Sequence, residues 1–402
     1  MVQMFVKRTR LLLLLIASTI FGMSVMYSSK RLPISLNKHK YAVDRTTLPF
    51  NYNNNLEWNR LVDMIEIKGK SQNSFQSKRF LQILFINKPF WIDIARGNEY
   101  IRNNCHLKNC VLTNKITNIS QMSAVVFSTT NKVRYDSSYL KGKRPYSQVW
   151  VFITMEPPEA VPSSRRWYRD PIWKKTMNWS WGYRLDSDIF RPIQVLTTRH
   201  VLPIRGYDAI FKRKNKFAAW VVSHCHAMSL RDEYVNALIR EGVQVDIFGK
   251  CSKNKTIVSR KVAHQQINDD YKFYLSFENN FCKDYVTEKF YTYLGLDTIL
   301  VVRGGLNYSE HFDQDAFIDT SSFSTVKALA SYMLRVSQDI KLYTRYLQKK
   351  DMYKIADSYY SMYESECRLC DMIYNQERYQ KTYEDITTYI HNGTCFNPDK
   401  IV

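Results

Sequence analysis

The sequence predicts an α/β protein of two halves in tandem, each a buried parallel sheet with helices, carried behind an N-terminal membrane anchor and a polar stem. Three observations predict it. Short β-branched or aromatic runs recur in two groups; helical stretches with readable ends separate runs of the second group; and one uncharged apolar stretch precedes everything else. A chain of 402 residues has room for two ordinary domains, and 45% hydrophobic content with 28 tyrosines is that of a packed body.

Leu11 to Tyr27 is a stretch of 17 residues without a charge, preceded by Lys7, Arg8 and Arg10 and followed by Lys30 and Arg31. As a helix it spans roughly 25 Å, enough for a thin bilayer. Met23 to Tyr27 offers no small-x-small cleavage site, so residues 11–27 read as an uncleaved signal anchor behind a cytoplasmic tail, residues 1–10. Basic residues at both ends leave the orientation open. All eight cysteines lie beyond the anchor, as do five Asn-x-Ser/Thr acceptor sites at Asn118, Asn178, Asn254, Asn307 and Asn392, which favours a lumenal body in an oxidising compartment. Residues 28–76 are polar and basic, with the run Asn51-Tyr-Asn-Asn-Asn55, as expected of a stem.

The first group of strands is expected at Phe80–Ile86, Ala124–Phe127 and Val149–Ile153, within a lobe over residues 77–205. The second lobe, 206–363, holds Phe217–Val222, Val243–Phe248, Tyr271–Phe277 and Thr298–Val302. Between its first two strands lies a helix with Ser229 as N-cap, Asp232 three residues on, and Gly242 past the end, which makes a right-handed βαβ unit. A further helix is read over Tyr285–Leu294, closed by Gly295, and Thr325 to about Asp357 reads as helical. Residues 364–402 form a mixed tail.

A formal charge of +21 favours anionic partners, yet the lysines are scattered and no basic repeat, zinc-finger spacing or RNP-like motif is present, so nucleic acid is set aside. No Gly-x-Gly-x-x-Gly or Walker motif supports NAD or ATP. Two cations stand out instead. Arg231 and Lys289 each fall in the first turn of a helix that follows a strand, where the helix dipole disfavours positive charge and a bound anion would reverse the sign. Helix starts at the carboxyl ends of parallel strands are where such sheets hold phosphates.

Ala219-Trp-Val-Val-Ser223, Val245-Asp-Ile-Phe-Gly-Lys-Cys251, Tyr271-Lys-Phe-Tyr-Leu-Ser-Phe-Glu-Asn279, Asp284-Tyr-Val-Thr-Glu-Lys289 and Phe317-Ile-Asp319 resemble, in this order, the donor-domain motifs of the alpha-1,3-fucosyltransferase family. The resemblance runs over about residues 177–346. It implies a B-type glycosyltransferase fold of two Rossmann-like lobes, acceptor lobe first and GDP-fucose lobe second, with the tail packed back on the first lobe. It implies inverting transfer of fucose from GDP-fucose to a GlcNAc of a glycan, an N-glycan among the candidates, by a single-pass type II enzyme of the Golgi membrane. No cofactor is implied as required; a divalent cation such as Mn is expected at most to stimulate. Arg231 and Lys289 match positions that hold the diphosphate; Asn279, Tyr285 and Glu288 match positions lining the ribose and phosphate.

An inverting transfer needs a carboxylate to take the acceptor proton. The expected base is Glu156, in Met155-Glu-Pro-Pro-Glu-Ala160, where the family usually has Glu-Ser-Pro followed by His; Glu159 competes. Asp186-Ser-Asp188 resembles a metal–diphosphate motif of another glycosyltransferase class, but lies in a segment similar to the lobe-spanning stretch of the fucosyltransferases, so it is expected to hold Tyr183 and Arg184 in place. His224-Cys225-His226 lacks a second ligand pair at finger spacing. Spacing selects no disulfide pattern. Cys105 and Cys110 are candidate partners of Cys367 and Cys370, the pair that the resemblance makes a structural disulfide element, and Cys225 is a candidate partner of Cys282. The altered Glu-Pro-Pro-Glu context and Leu300, where the family has proline, leave two alternatives: another nucleotide sugar, or an inactive glycan-binding relative.

Overall fold

A computed structural model describes residues 80–199, 201–252, 259–355 and 363–398. The expected tail, anchor and stem lie outside these residues, as does Asn254. Among the described residues no helix is long and apolar enough to cross a membrane.

Strands β1 (Leu81–Phe85), β2 (Cys110–Thr113), β3 (Ala124–Ser128), β4 (Val149–Thr154), β5 (Trp179–Gly182) and β6 (Ile189–Phe190) form one sheet in the order β2-β1-β3-β4-β5-β6. Every pairing in it is parallel. After β7 (Leu196–Thr198) come β8 (Lys216–Val221), β9 (Val245–Phe248), β10 (Tyr271–Phe277), β11 (Ile299–Arg303) and β12 (Ile318–Asp319), a second parallel sheet in the order β12-β11-β10-β8-β9. β13 (Tyr353–Ile355) pairs antiparallel with β7. The expected apolar runs are the central strands of both sheets, because a strand covered on both faces must be apolar at every position. In β1 and the residue after it, Leu81, Ile83 and Phe85 enter one core cluster, while Leu84 and Ile86 enter another on the opposite face. β2 and β5 were not anticipated. β5 reads Trp-Ser-Trp-Gly, and its Ser180, fully buried, is made tolerable by donating to Asp188 at 2.9 Å, a partner eight residues away.

Helices α1 (Ile94–Asn104), α2 (Arg231–Arg240), α3 (Glu288–Leu294), α4 (Val326–Gln338), α5 (Ile340–Lys350), α6 (Glu364–Tyr374) and α7 (Ile386–His391) carry the rest of the argument. Three boundaries differ from expectation. The N-cap of α2 is Leu230, in a left-handed turn with φ 51°, rather than Ser229. The Ser229 N–H is drawn onto the Asn279 carbonyl at 3.2 Å, and Asp232 accepts from the His226 N–H instead of closing a capping box. α3 begins at Glu288, capped by Thr287, which leaves Tyr285 in the preceding loop. The stretch after Thr325 is two helices and a strand, because the Asp339 side chain accepts from the N–H groups of Lys341 and Leu342 and restarts the helix.

The chain returns to the first sheet at its end. Cys367 and Cys370, one turn apart on α6, pair with Cys105 and Cys110, which flank the passage from α1 into β2. Beside them, Arg191 donates to Glu366 at 2.6 Å, both side chains only 1% exposed. The expected Cys225–Cys282 pairing does not form. Cys225 bonds Cys251, because both follow the carboxyl ends of the neighbouring strands β8 and β9; Cys282 bonds Cys395, which the returning tail brings to it.

Of the glycosylation candidates, Asn118, Asn307 and Asn392 are exposed. Asn178 is built into the fold: its amide oxygen accepts from the Trp150 N–H at 2.9 Å and from Arg144 at 2.6 Å, and its amide nitrogen donates to the Lys381 carbonyl at 2.9 Å. A glycan attached during synthesis would block this seat between β4 and the tail. Peptide mapping is expected to find Asn178 unmodified. Asn178→Ala is expected to destabilise by about 2 kcal/mol in denaturant melts through the buried partners it strands, against roughly 0.5 kcal/mol or less for Asn392→Ala.

Candidate active site

The second sheet reverses its strand order between β8 and β10, and ligand crevices in such sheets open at the carboxyl ends of the strands at that point. Arg231 lies across this gap. Its guanidinium donates to the Phe277 carbonyl at the end of β10 (2.9 Å) and to the His224 carbonyl beyond β8 (2.8 Å), while its Nε is buried without a hydrogen-bond partner. The side chain is 2% exposed, and burial depresses its guanidinium below the ordinary arginine value.

At the end of β10 sits Glu278, fully buried. Its carboxylate accepts from the Thr287 N–H at 2.8 Å and from the Thr287 hydroxyl, and stands 3.3 Å from the Lys289 ammonium. Lys289 also donates to the Thr287 hydroxyl at 2.8 Å and to Glu288 at 3.3 Å. Burial alone would lower the Lys289 ammonium, but Glu278 and then Glu288 outweigh it and hold the charge above the ordinary lysine value. For Glu288, burial pulls the carboxyl upward, but Lys289 together with hydrogen bonds from its own N–H and from Thr287 more than reverses it, so it stays ionised. The penalty of a cation at a helix start is therefore offset by two carboxylates within the protein itself. Asn279, 8% exposed, and Asn280, 4% exposed, follow Glu278 with side-chain oxygens that have no partner among the described residues.

Glu156 comes from the other lobe, just past β4. Its carboxylate accepts from the Tyr285 hydroxyl at 2.9 Å. Tyr285 is 2% exposed, packs edge-on to Tyr183, and is held protonated by burial and by the neighbouring Glu156 and Glu278. Burial raises the Glu156 carboxyl above its ordinary value; the Tyr285 hydrogen bond and Lys289 pull the other way without cancelling it. Glu159 is exposed and lies beside the Cys282–Cys395 bridge. The geometry thus gathers Glu156, Tyr285, Glu288, Lys289 and, behind them, Arg231 and Asn279.

Asp186 and Asp188 are committed elsewhere. Asp186 takes Arg184 in a two-point ion pair at 2.9 and 2.6 Å and Lys283 at 3.1 Å; Asp188 takes the Ser180 N–H and hydroxyl, Lys381 and Tyr383. Arg184 in turn donates to the Tyr389 carbonyl and the Thr394 hydroxyl, so the segment pins the tail. His224 lends its carbonyl to Arg231, and Cys225 is disulfide-bonded.

Glu278 is a site residue that the sequence expectations do not include. The signal was there: a carboxylate continuing the run Tyr271–Phe277, buried at nearly every position, has to be paired.

Two parallel-sheet lobes thus meet at their strand-end loops through a carboxylate from one and a tyrosine from the other, the arrangement expected of a two-lobed glycosyltransferase. Residues 78–194 match the pattern described as "Fucosyltransferase, N-terminal", and residues 211–389 match "Glycosyltransferase family 10 (fucosyltransferase) C-term". Among similar proteins, alpha-(1,3)-fucosyltransferase C of Drosophila melanogaster is 30% identical over 74% of this chain and 73% of its own length. Alpha-(1,3)-fucosyltransferase 4 of Mus musculus is 31% identical over 62% of this chain and 55% of its own length. A crystal structure of an alpha1,3-fucosyltransferase superposes with a TM-score of 0.48 at 16% identity, covering 75% of this chain and 92% of that one. The chain belongs to the fucosyltransferases of glycosyltransferase family 10 and is an enzyme.

Removing the Glu278 carboxylate leaves the Thr287 N–H buried and Lys289 without its buried counter-charge. Glu278→Ala is expected to lower stability by about 3 kcal/mol, measured by denaturant melts, with Glu278→Gln recovering only part.

Proposed function

We propose that this enzyme transfers L-fucose from GDP-β-L-fucose to the O3 of a GlcNAc residue of a glycan, with inversion, as a type II protein of the Golgi membrane anchored by residues 11–27 with its body in the lumen. The observation that carries the reading is the half-buried Glu156 carboxylate, raised above its ordinary value and joined to Tyr285 beside Lys289. Such a carboxylate, once ionised, is a stronger base than a solvated one. In the reaction it takes the proton of the acceptor hydroxyl as that oxygen bonds to the anomeric carbon. The bond from that carbon to the β-phosphate oxygen breaks, and GDP leaves with the electron pair. Lys289 meets the growing phosphate charge, with Arg231 adding a fixed positive field from behind. Glu288, exposed and ionised, and Asn279, with an unpartnered oxygen, supply acceptors for ribose hydroxyls. No divalent cation is needed for these steps; a metal such as Mn acts only as a stimulant. The four disulfides accord with a lumenal body, where an oxidising environment maintains them.

Glu156→Gln is expected to lower kcat with GDP-fucose by about 10²–10⁴-fold while GDP still binds, measured by fucose incorporation and calorimetry. Wild-type turnover in that variant removes Glu156 as the base. Because the base must be ionised, activity is lost as pH falls through the Glu156 pKa; the acidic limb of kcat/KM is expected above the ordinary glutamate value of 4.5 and absent from the residual rate of Glu156→Gln. Lys289→Met, at a residue holding a charge-assisted contact, is expected to weaken GDP binding by roughly 10–100-fold in a titration.

A further inference from the structure

The backbone and the carboxylate of Glu156 are held by different parts of the molecule. The backbone belongs to the first lobe: the Thr154 hydroxyl donates to the Glu156 carbonyl at 3.3 Å, and Pro157 and Pro158 follow with φ fixed by their rings. The carboxylate has one hydrogen bond among the described residues, at 2.9 Å from the Tyr285 hydroxyl of the second lobe. That bond selects one arrangement from the several that a glutamate side chain otherwise samples.

Tyr285 is itself fixed from several sides. Its ring packs edge-on to Tyr183 at 5.1 Å, in an apolar cluster with Cys282 against which Met155 and Cys395 pack. Met155 immediately precedes Glu156, so the ring bears on the same loop that its hydroxyl restrains. Asp284, just before Tyr285, has a left-handed backbone at φ 59°, and its carboxylate accepts from the Leu185 N–H at 3.1 Å. Cys282 is bridged to Cys395, and Thr287 is held by Glu278.

The direction of the hydrogen bond is settled too. Burial, with the nearby Glu156 and Glu278 charges, keeps the Tyr285 phenol protonated, so it donates and Glu156 accepts. The family resemblance places Tyr285 among the residues lining the ribose and phosphate; its one proton is instead spent on Glu156. The titratable groups facing the Glu156 carboxylate are Tyr285, Lys289, Glu288 and Glu278, with the buried Tyr183 beside them. Lys289 favours the ionised form, while Glu288 and Glu278 oppose it. Tyr285 is the uncharged donor among them, and its bond strengthens as Glu156 loses its proton.

We propose that Tyr285 is a positioning residue for this reaction: through its hydroxyl the second lobe aims the Glu156 carboxylate of the first lobe at the acceptor hydroxyl. This rests on the reading of Glu156 as the base. Tyr285 lies four residues before Lys289, so one loop sets both the group that receives the acceptor proton and the group that meets the leaving phosphate.

The test uses the full chain with GDP, with GDP-fucose, and with chitobiose and N-acetyllactosamine as acceptors. Tyr285→Phe keeps the ring against Tyr183 and removes only the hydroxyl. Its kcat is expected to fall about 10–100-fold, while calorimetric binding of GDP stays within about twofold of wild type. Because the lost bond favours the ionised carboxylate, the acidic limb of kcat/KM is expected to move to higher pH. Fluorotyrosine in place of Tyr285, a more acidic donor of nearly the same shape, is expected to move the limb to lower pH. In Glu156→Gln, adding Tyr285→Phe is expected to change the residual rate by no more than about twofold, since a residue that acts through Glu156 has nothing left to act on. An acidic limb that neither replacement moves overturns the proposal. So does weakening of GDP binding in step with the loss of kcat, the mark of a donor contact, and so does a loss that adds in full to that of Glu156→Gln. The fluorinated form keeps the packing and reads the limb even where Tyr285→Phe unfolds. Wild-type turnover in Glu156→Gln sinks the assignment of the base, whereas a crippled Glu156→Gln beside an unmoved limb sinks this inference alone.

Discussion

A fully buried carboxylate at the end of a central strand governs the second-lobe site. Glu278 has no access to water, so every lone pair it presents must be met from within. It is met by the Thr287 N–H, the Thr287 hydroxyl and the Lys289 ammonium, three groups from one helix start nine to eleven residues later. That requirement fixes where α3 begins, and so why Tyr285 falls in a loop rather than on the helix. The loop is pressed down from the other side as well: a Cβ added at Gly305 would lie 2.4 Å from the Cys282 backbone, so only glycine allows the loop after β11 to approach so closely. With its start pinned by Glu278 and its base by Gly305, the loop projects Tyr285 toward the first lobe, where Glu156 accepts its hydroxyl.

The other side of that contact depends on the tail. The Cys282–Cys395 bridge and the Lys283 N–H donating to the Thr394 carbonyl at 2.7 Å tie the same loop to the end of the chain. Arg184, from the loop between β5 and β6, holds Thr394 and the Tyr389 carbonyl. Further back, α6 is fastened to the first lobe by two disulfides and by the buried Arg191–Glu366 pair. The register between Glu156 and the loop that carries Tyr285 is thus set largely by covalent and charged links that run around the outside of the site.

Much of this was legible in the sequence, for identifiable reasons. Central strands such as Tyr271–Phe277 could be read because burial on both faces forces a continuous apolar run. β5 could not, since Ser180 breaks the run and its partner Asp188 lies eight residues on. Helix ends written in local chemistry, such as Gly242 in its left-handed conformation, were visible; those set by distant groups, such as the start of α3 under Glu278, were not. No local pattern encodes the disulfides: the resemblance, not spacing, singles out Cys367 and Cys370, whose partners lie some 260 residues away, and the Cys282–Cys395 bridge depends on a chain reversal. Asn178 shows the converse hazard: the acceptor triplet is real as a pattern, while its amide belongs to the fold.

The two cations first singled out prove unequal once their surroundings are known. Arg231 gives its outer nitrogens to backbone carbonyls on either side of the β8–β10 gap, so its chief role is to hold that gap in shape, and its charge acts from behind. Lys289 is surrounded by three acceptors of different standing. Glu278 and Thr287 are buried and cannot release it without exposing unpaired groups, whereas the Glu288 side chain is 57% exposed and can turn to water. An anion arriving at Lys289 therefore displaces Glu288 at the least cost. The displaced carboxylate is left ionised at the start of α3, where the helix dipole still favours it, and free to accept hydroxyl groups beside the anion. The charge arrangement at this helix start is closed within the protein by Glu278, Thr287 and Glu288, and on the proposed reading its one exposed member, Glu288, is the side chain that yields to a phosphate.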